Sequence, residues 1–231
     1  MNRLLVFLTL LSLTVVSAQA RQADQVTRHI SDYQMDADEL IDAALADSAA
    51  WNRLAYLTDT FGPRFSGSEN LELALDWVLE EMKGDGLENV RSEPVKVPHW
   101  VRGEETLTIL APHKRELQIL GLGGSVGTGP NGVQGEVFVV NSYDDLEANK
   151  EKAKGKIVLW NVPFTSYGAT VSYRGNGAVR AAEVGAIASL VRSVAPTSMY
   201  TPHTGNSNYS EDVPKIPHAA VTVEDALMMQ R

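Results

Sequence analysis

Apolar residues recur at helical spacing in the first third of the chain. From Asp38 onward they are three to six residues apart, which predicts two short helices with Ser48 as an N-cap between them. The apolar positions are Ile41, Leu45, Trp51, Leu54, Leu57 and Phe61. Gly62-Pro63 ends this helical region, because proline cannot continue the backbone hydrogen-bond ladder.

A further helical pattern begins within a few residues. An apolar stripe runs from Leu71 to Met82, and Ser66 and Glu69 stand in the spacing of a capping box before it. The glycines of 84–86 end the helix. Residues 88–97 then predict a strand that is interrupted by Pro94, which suits the edge of a sheet.

Short runs of β-forming residues dominate from about Pro98. They predict strands over 105–110, 116–120, 133–140, 156–160, 186–191 and 216–223. The first two can pair as a hairpin, and the glycine-rich stretch 121–132 is predicted to be a loop. A helix is predicted over 171–184, and Thr222 with Asp225 predicts the cap of a last helix. The second part of the chain is therefore predicted to be a strand-rich α/β module.

The first 20 residues have the pattern of a secretory signal peptide. Arg3 precedes the apolar run 4–16, and Ala18 and Ala20 fit the small-residue cleavage pattern, so we expect cleavage after Ala20. The run is shorter than the roughly 20 apolar residues that span a bilayer, and we expect no membrane span in the mature form. Residues 21–37 are polar and lack helical periodicity, which indicates a leader or pro-segment.

Charge and composition exclude several classes of function. The chain has 29 acidic and 20 basic side chains, a net charge of −9, which argues against a nucleic-acid partner because like charges repel the phosphate backbone. There is no cysteine, so neither disulfides nor thiolate metal ligands can form. A hydrophobic fraction of 44% is enough to form a core without them.

One stretch has the spacing of a serine hydrolase motif. Gly123, Ser125 and Gly127 match G-x-S-x-G, which works as a nucleophile turn only when a helix follows it. The next residues, 128–132, contain two glycines and a proline and cannot start a helix, so we interpret the stretch as a flexible loop. The dinucleotide-binding and phosphate-loop spacings are absent.

The histidines are too widely spaced to indicate a metal site. A zinc site usually includes a short-range pair of ligands, such as H-x-x-x-H or H-x-D. None of the five histidines has a second histidine or a carboxylate at these spacings. We therefore expect no catalytic residue and no metal ligand within this chain. The five are His29, His99, His113, His203 and His218.

Two polar and aromatic stretches are predicted loops, and such loops often line ligand sites. They cover residues 167–177 and 200–205, and they make Tyr173, Arg174 and His203 candidates for contact with a substrate. Asn208 begins an Asn-Tyr-Ser sequence, which is an acceptor for glycosylation in a eukaryotic secretory pathway.

Three blocks, in order along the chain, resemble the M28 family of zinc peptidases. They are residues 57–68, residues 173–193, and a third block made of 202–205, 213–217 and 221–226. The resemblance runs from about Asp38 to Arg231. It implies that 38–99 are the N-terminal part of an aminopeptidase-like α/β domain and that 100–231 form an inserted protease-associated (PA) domain. The rest of the peptidase domain, with two zinc ions held by His, Asp and Glu, would follow.

The resemblance also implies an activity and a compartment. Members of the family hydrolyse short peptides, with a glutamate general base activating a zinc-bridging water. We therefore expect the N-terminal portion of a secreted metallocarboxypeptidase or dipeptidase, truncated before its zinc ligands and homodimeric at full length. The compartment would be extracellular or the lumen of the ER, Golgi or lysosome in a eukaryote, and the periplasm in a Gram-negative bacterium.

Two alternatives stay open. The chain could be a complete, non-catalytic secreted protein whose PA-like module binds peptides. The full-length enzyme could also be an M28 aminopeptidase instead of a carboxypeptidase.

Overall fold

The computed structural model describes residues 29–231. They form two compact units, which divide between Pro63 and Arg64. The expected cleavage point after Ala20 and residues 21–28 of the expected leader lie outside the described residues.

The first unit consists of helices. A 3-10 turn, Ile30–Tyr33, leads into α1, Gln34–Ala46, and α2 covers Ala49–Phe61. The two predicted helices are confirmed, and residues 30–37 are helical although they lack an apolar helical pattern. The assignment of 21–37 to a leader or pro-segment stays a prediction. Gln34 donates to the Asp38 carboxylate one turn later at 2.8 Å, a side-chain pair that stabilises the start of the helix.

Ser48 holds the N-cap position of α2, but its side chain accepts no capping hydrogen bond from the backbone. The carboxylate of Asp47 accepts the free N–H of Ala49 at 2.8 Å instead. The helix ends at Gly62, whose φ of +60° is easily reached only by glycine, as the sequence predicts.

The second unit opens with α3, Glu69–Gly84. Its N-cap is Ser68, whose hydroxyl accepts the N–H of Leu71 at 3.3 Å, so the predicted capping box of Ser66 and Glu69 is wrong. Ser68 takes this role because it has the extended backbone that an N-cap requires. The predicted end of the helix at Gly84 is confirmed.

The strand predicted over 88–97 is wrong. Within residues 29–231 this stretch pairs with no strand, and from Arg91 to Val97 it is exposed. Exposed extended chain has neither a partner for its backbone groups nor a buried face to hold it against a sheet.

The remaining residues build two sheets. Strands β1, Leu107–Ile109, and β2, Arg115–Leu117, form the predicted antiparallel hairpin. The larger sheet has the order β3-β7-β6-β5-β4; β4 to β7 are parallel and β3 is antiparallel to β7. Its strands are β3, Ile119–Gly121, β4, Val137–Val140, β5, Ile157–Trp160, β6, Ala188–Arg192, and β7, His218–Val221. The predicted strand 116–120 is divided in two, because Leu117 pairs in the hairpin and Ile119 pairs with Val221.

Four helices accompany these strands. They are α4, Tyr143–Ala148, α5, Lys150–Ala153, α6, Tyr167–Glu183, and α7, Val223–Gln230. The last helix is capped by Thr222, whose hydroxyl accepts the N–H of Asp225 at 2.9 Å, as predicted. Helix α6 begins four residues before the predicted start, so the prediction of a loop over 167–177 is wrong; Ser166 caps it by accepting the N–H of Ala169.

Both faces of the larger sheet are covered. Val158 and Trp160 pack on one face with alanines of α6, while Leu159 and Leu190 pack on the other with Ala226 of α7. Burial on both faces explains why β5 and β7 are buried at every position. Among residues 29–231, no helix is long and apolar enough to cross a membrane.

Candidate functional site

Arg174 ties the loop 200–205 to helix α6. It is 8% exposed, and its guanidinium donates to the carbonyl of Thr204 at 3.0 Å and to the hydroxyl of Tyr167 at 2.6 Å. The guanidinium also lies 5.4 Å from the centre of the Tyr167 ring, within cation–π range. These contacts satisfy a buried charge without a carboxylate.

Tyr173 belongs to an aromatic cluster. Its ring stacks on Tyr143 at 4.4 Å between centroids and lies 5.6 Å from Trp160. The Trp160 indole is fully buried and donates to the hydroxyl of Ser189 at 3.0 Å. Tyr173 therefore helps to join α6 to the sheet.

His203 lies in the exposed loop that follows β6. Its backbone N–H donates to the hydroxyl of Ser193 at 2.8 Å, and its ring Nδ1 lies 3.1 Å from the carbonyl of Val194. The structure thus brings Arg174 and the loop of His203 together, and it places Tyr173 in the aromatic cluster. Contact of these three residues with a substrate stays a prediction.

His218, which has no metal-site spacing in the sequence, is buried at the start of β7. It is 1% exposed, and its Nδ1 and Nε2 lie 3.1 Å and 3.0 Å from the carbonyl oxygens of Ser189 and Arg174. Burial lowers the pKa of His218 to about 4, although the carbonyls act in the opposite direction. The ring is therefore neutral at physiological pH.

Ser125 has a structural role. Its hydroxyl accepts the backbone N–H of His218 at 2.9 Å and donates to the carbonyl of Val126 at 3.1 Å. No helix follows in the described residues 128–136, so the interpretation of this stretch as a loop is confirmed. The hydroxyl holds the glycine-rich loop against the start of β7.

Polar side chains collect at the carboxyl end of the parallel sheet. Asn161 directly follows β5 and is 2% exposed, and its side-chain oxygen accepts from Nη1 of Arg192, the last residue of β6, at 3.3 Å. The Asn161 amide nitrogen donates to the side chain of Gln230 at the end of α7. A signal for this cluster exists in the sequence, since Arg192 comes directly after an apolar run.

A surface cleft of about 330 Å³ lies beside the predicted glycosylation site. Tyr143, Arg180, Asn208 and Tyr209 are among its lining residues. Asn208 is exposed, and its side-chain nitrogen donates to the side chain of Asn176 at 3.1 Å. Its glycosylation stays a prediction.

Zinc, which the family resemblance implies, requires converging ligands. In the described part of the chain, no three side chains of His, Asp or Glu come close enough to hold a metal ion. His218 directs both ring nitrogens at carbonyl oxygens, and His203 directs one at Val194. The described residues therefore do not fit a zinc site.

Sequence comparison with known proteins finds relatives that share one name. No protein-family model matches the chain. The chain is 51% identical over 214 residues to carboxypeptidase Q from Xenopus laevis, covering 91% of this chain and 46% of the relative. It is 53% identical over 186 residues to carboxypeptidase Q from Homo sapiens, covering 80% of this chain and 39% of the relative. The chain thus spans less than half the length of the curated relatives it matches.

Solved structures agree with these sequence relatives. A peptidase M28 precursor from Shewanella amazonensis SB2B superposes with a TM-score of 0.81 at 33% identity, covering 87% of this chain and 47% of that one. A zinc aminopeptidase from Bacillus subtilis shares the fold, with a TM-score of 0.52 at 21% identity over 79% of this chain and 40% of that one. The chain is therefore a homologue of carboxypeptidase Q over 91% of its length, with a mixed α/β fold that matches an M28 peptidase.

Proposed function

We propose that the protein to which this chain belongs is a zinc-dependent exopeptidase that hydrolyses short peptides. The observation that carries the proposal is the identity of 51% to carboxypeptidase Q over 91% of the chain. Because less than half of that relative is matched, the activity is proposed for a longer protein. Its two zinc ions and catalytic glutamate would come from sequence that this chain does not contain.

In this proposal the chain supplies a scaffold. Residues 38–99 would begin the peptidase domain, and residues 100–231 would form a PA domain around the larger sheet. The parallel strands, buried on both faces, make a rigid base for the loops at their carboxyl ends. Tyr173, Arg174 and His203 are proposed to lie on the substrate side, and of these His203 is the exposed one.

The proposal includes an exported location. A signal peptide cleaved after Ala20 would direct the protein to the extracellular space or to the ER, Golgi or lysosome lumen, or to the periplasm of a Gram-negative bacterium. Asn208, exposed on a loop, is the proposed glycosylation site in a eukaryotic pathway. The full-length enzyme is proposed to be a homodimer.

The test starts by reading the transcript or genomic DNA past Arg231 and expressing the whole reading frame. The purified protein is assayed on two matched dipeptides, one with a blocked N-terminus and a free carboxylate, the other with a free N-terminus and an amidated C-terminus. We expect cleavage of the first, loss of activity with a chelator and recovery with Zn²⁺. Cleavage of the amidated dipeptide alone would assign an aminopeptidase, and inactivity of the zinc-loaded protein on both would refute the proposal.

A non-catalytic peptide-binding protein is the second candidate. It is favoured by one observation, that Arg64–Arg231 is a compact unit with its own sheet and two apolar clusters. It predicts that the chain without its signal peptide unfolds cooperatively on heating and binds peptides in the absence of zinc. Isothermal titration calorimetry with the same two dipeptides checks the binding.

A further inference from the structure

The cluster at the carboxyl end of the sheet has the position of a ligand site. Trp160 and Val191 are paired in the parallel ladder, so Asn161 and Arg192 leave the sheet side by side. In open α/β sheets, ligands bind outside the carboxyl ends of the strands. Arg192 lies on the same side of β6 as Leu190, since side chains alternate along a strand, and Leu190 packs in the apolar cluster that includes Ala226 of α7.

The guanidinium of Arg192 contacts one amide, which a second amide holds in turn. Asn161 is buried, and its side chain connects Gln230 to Arg192 by donating to the first and accepting from the second at 3.3 Å. This contact uses Nη1 alone. Among the described residues, Nη2 has no hydrogen-bond partner, and Nε is buried without one.

The positive charge of Arg192 has no counter-charge in the described part of the chain. Burial lowers its pKa, and no carboxylate acts against that effect. Three other arginines are paired with a carboxylate within 3.2 Å, since Arg91, Arg102 and Arg180 each contact a glutamate. In a chain with nine more acidic than basic side chains, a half-buried arginine that contacts only an amide needs a separate explanation.

We propose that the guanidinium of Arg192 is a binding point for a carboxylate group. The planar guanidinium of arginine matches a carboxylate, and Nη2 is the donor that is left free for it, whereas the unpartnered Nε is buried. The carboxylate comes either from a peptide substrate or from an acidic side chain of the longer protein. The first source rests on the proposed function. Asn161 is the positioning residue that orients the fork.

The experiment compares two probes that differ only in charge. N-acetylglycine and N-acetylglycinamide are titrated into residues 21–231, and the Nε–Hε resonance of Arg192 is followed by ¹⁵N NMR. We expect N-acetylglycine to shift this resonance and the amide to leave it unchanged. Charge-assisted hydrogen bonds differ from neutral ones by enough to make the affinity for the acid about tenfold higher.

Variants identify the residue responsible. Arg192→Gln should weaken the binding of N-acetylglycine about tenfold, and Arg192→Lys, which keeps the charge but lacks the fork, should fall between. Arg91→Gln is the matched control, because it removes an exposed arginine that is paired with Glu93. Thermal unfolding checks that each variant is folded. If Arg192→Gln does not fold, the binding measured with Arg192→Lys decides the test. Equal binding of acid and amide, or unchanged binding in the folded Arg192 variant, overturns the proposal.

The longer protein distinguishes the two sources. If the carboxylate belongs to a substrate, Arg192→Gln raises KM about tenfold for dipeptides with a free carboxylate and leaves amidated ones unchanged. If it belongs to an acidic side chain, N-acetylglycine binds residues 21–231 but not the longer protein, and Arg192→Gln lowers the Tm of the longer protein. Peptide hydrolysis without carboxylate binding at Arg192 would overturn this inference and leave the proposed function intact.

Discussion

Buried His218 should make the stability of the sheet depend on pH. In the folded protein its pKa is about 4, compared with an ordinary value of 6.5, because burial disfavours the charged imidazolium. The unfolded chain therefore binds a proton between these two values and the folded chain does not. The contribution to stability is complete above pH 6.5 and is lost as the pH falls towards 4.

The size of the effect follows from the two pKa values. Relative to neutral pH, the free energy of unfolding should fall by about 2 kcal/mol at about pH 5 and by about 3 kcal/mol at about pH 4. His218 is fully buried, so solvent does not screen this effect. A small domain has only about 5–15 kcal/mol of stability in total, so the loss is easily measured.

The assay is urea unfolding of residues 21–231 at several pH values between 4 and 7.5, followed by circular dichroism. Other acidic groups also titrate near the lower limit, so the informative quantity is the difference between variants. His218→Gln removes the titrating ring while keeping one donor for a carbonyl oxygen. It should be less stable than the wild type at pH 7 but should lose about 3 kcal/mol less on acidification.

His113→Gln is the matched control. His113 is exposed in the turn between β1 and β2, so this variant makes the same replacement away from the buried sheet. If wild type and His218→Gln lose the same free energy between pH 7 and pH 4, the imidazole is not held neutral by burial, and the reasoning from its surroundings is wrong.

Two substitutions test the packing and capping of the second unit by thermal or urea unfolding. A methyl group on Gly177 would lie 2.7 Å from the Trp160 indole nitrogen, so Gly177→Ala should cost about 1–3 kcal/mol. Gly168→Ala in the same helix meets nothing within 4 Å and should be neutral or slightly stabilising; equal losses would contradict the packing argument. Thr222→Ala removes a buried cap and should cost about 1–2 kcal/mol, and about twice as much as Ser166→Ala at an exposed cap. A larger loss for Ser166→Ala would contradict this order.

Elements that depend on local chemistry were predictable from the sequence. The hairpin of β1 and β2 follows from two short β-forming runs joined by a turn, and the pairing of Leu107 with Leu117 confirms it. The cap at Thr222 follows from its spacing to Asp225. Such features depend only on residues that are close in the chain, so the amino-acid sequence alone predicts them.

Elements that depend on distant partners were not predictable in the same way. Residues 88–97 have the composition of a strand, but no described strand lies beside them. The run 116–120 was predicted as one strand, and it is divided because its two ends pair with different partners. The pairing of Ile119 with Val221, far along the chain, decides the second case, and β propensity alone does not contain it.

The candidate site shows the same limit through two arginines, one buried and one half-buried. Arg174 stood out in the sequence because polar and aromatic residues surround it, yet those neighbours satisfy its charge within the fold. Arg192 follows an apolar run and has no polar pattern around it in the sequence, yet it keeps donors without partners at the carboxyl end of the sheet, where open α/β sheets bind ligands. The sequence indicates where a charged side chain can be buried. Only the three-dimensional contacts show whether its hydrogen-bond donors already have partners within the fold. Unsatisfied donors on a half-buried cation are therefore the stronger indication of a ligand, and Arg192 is a residue that has them.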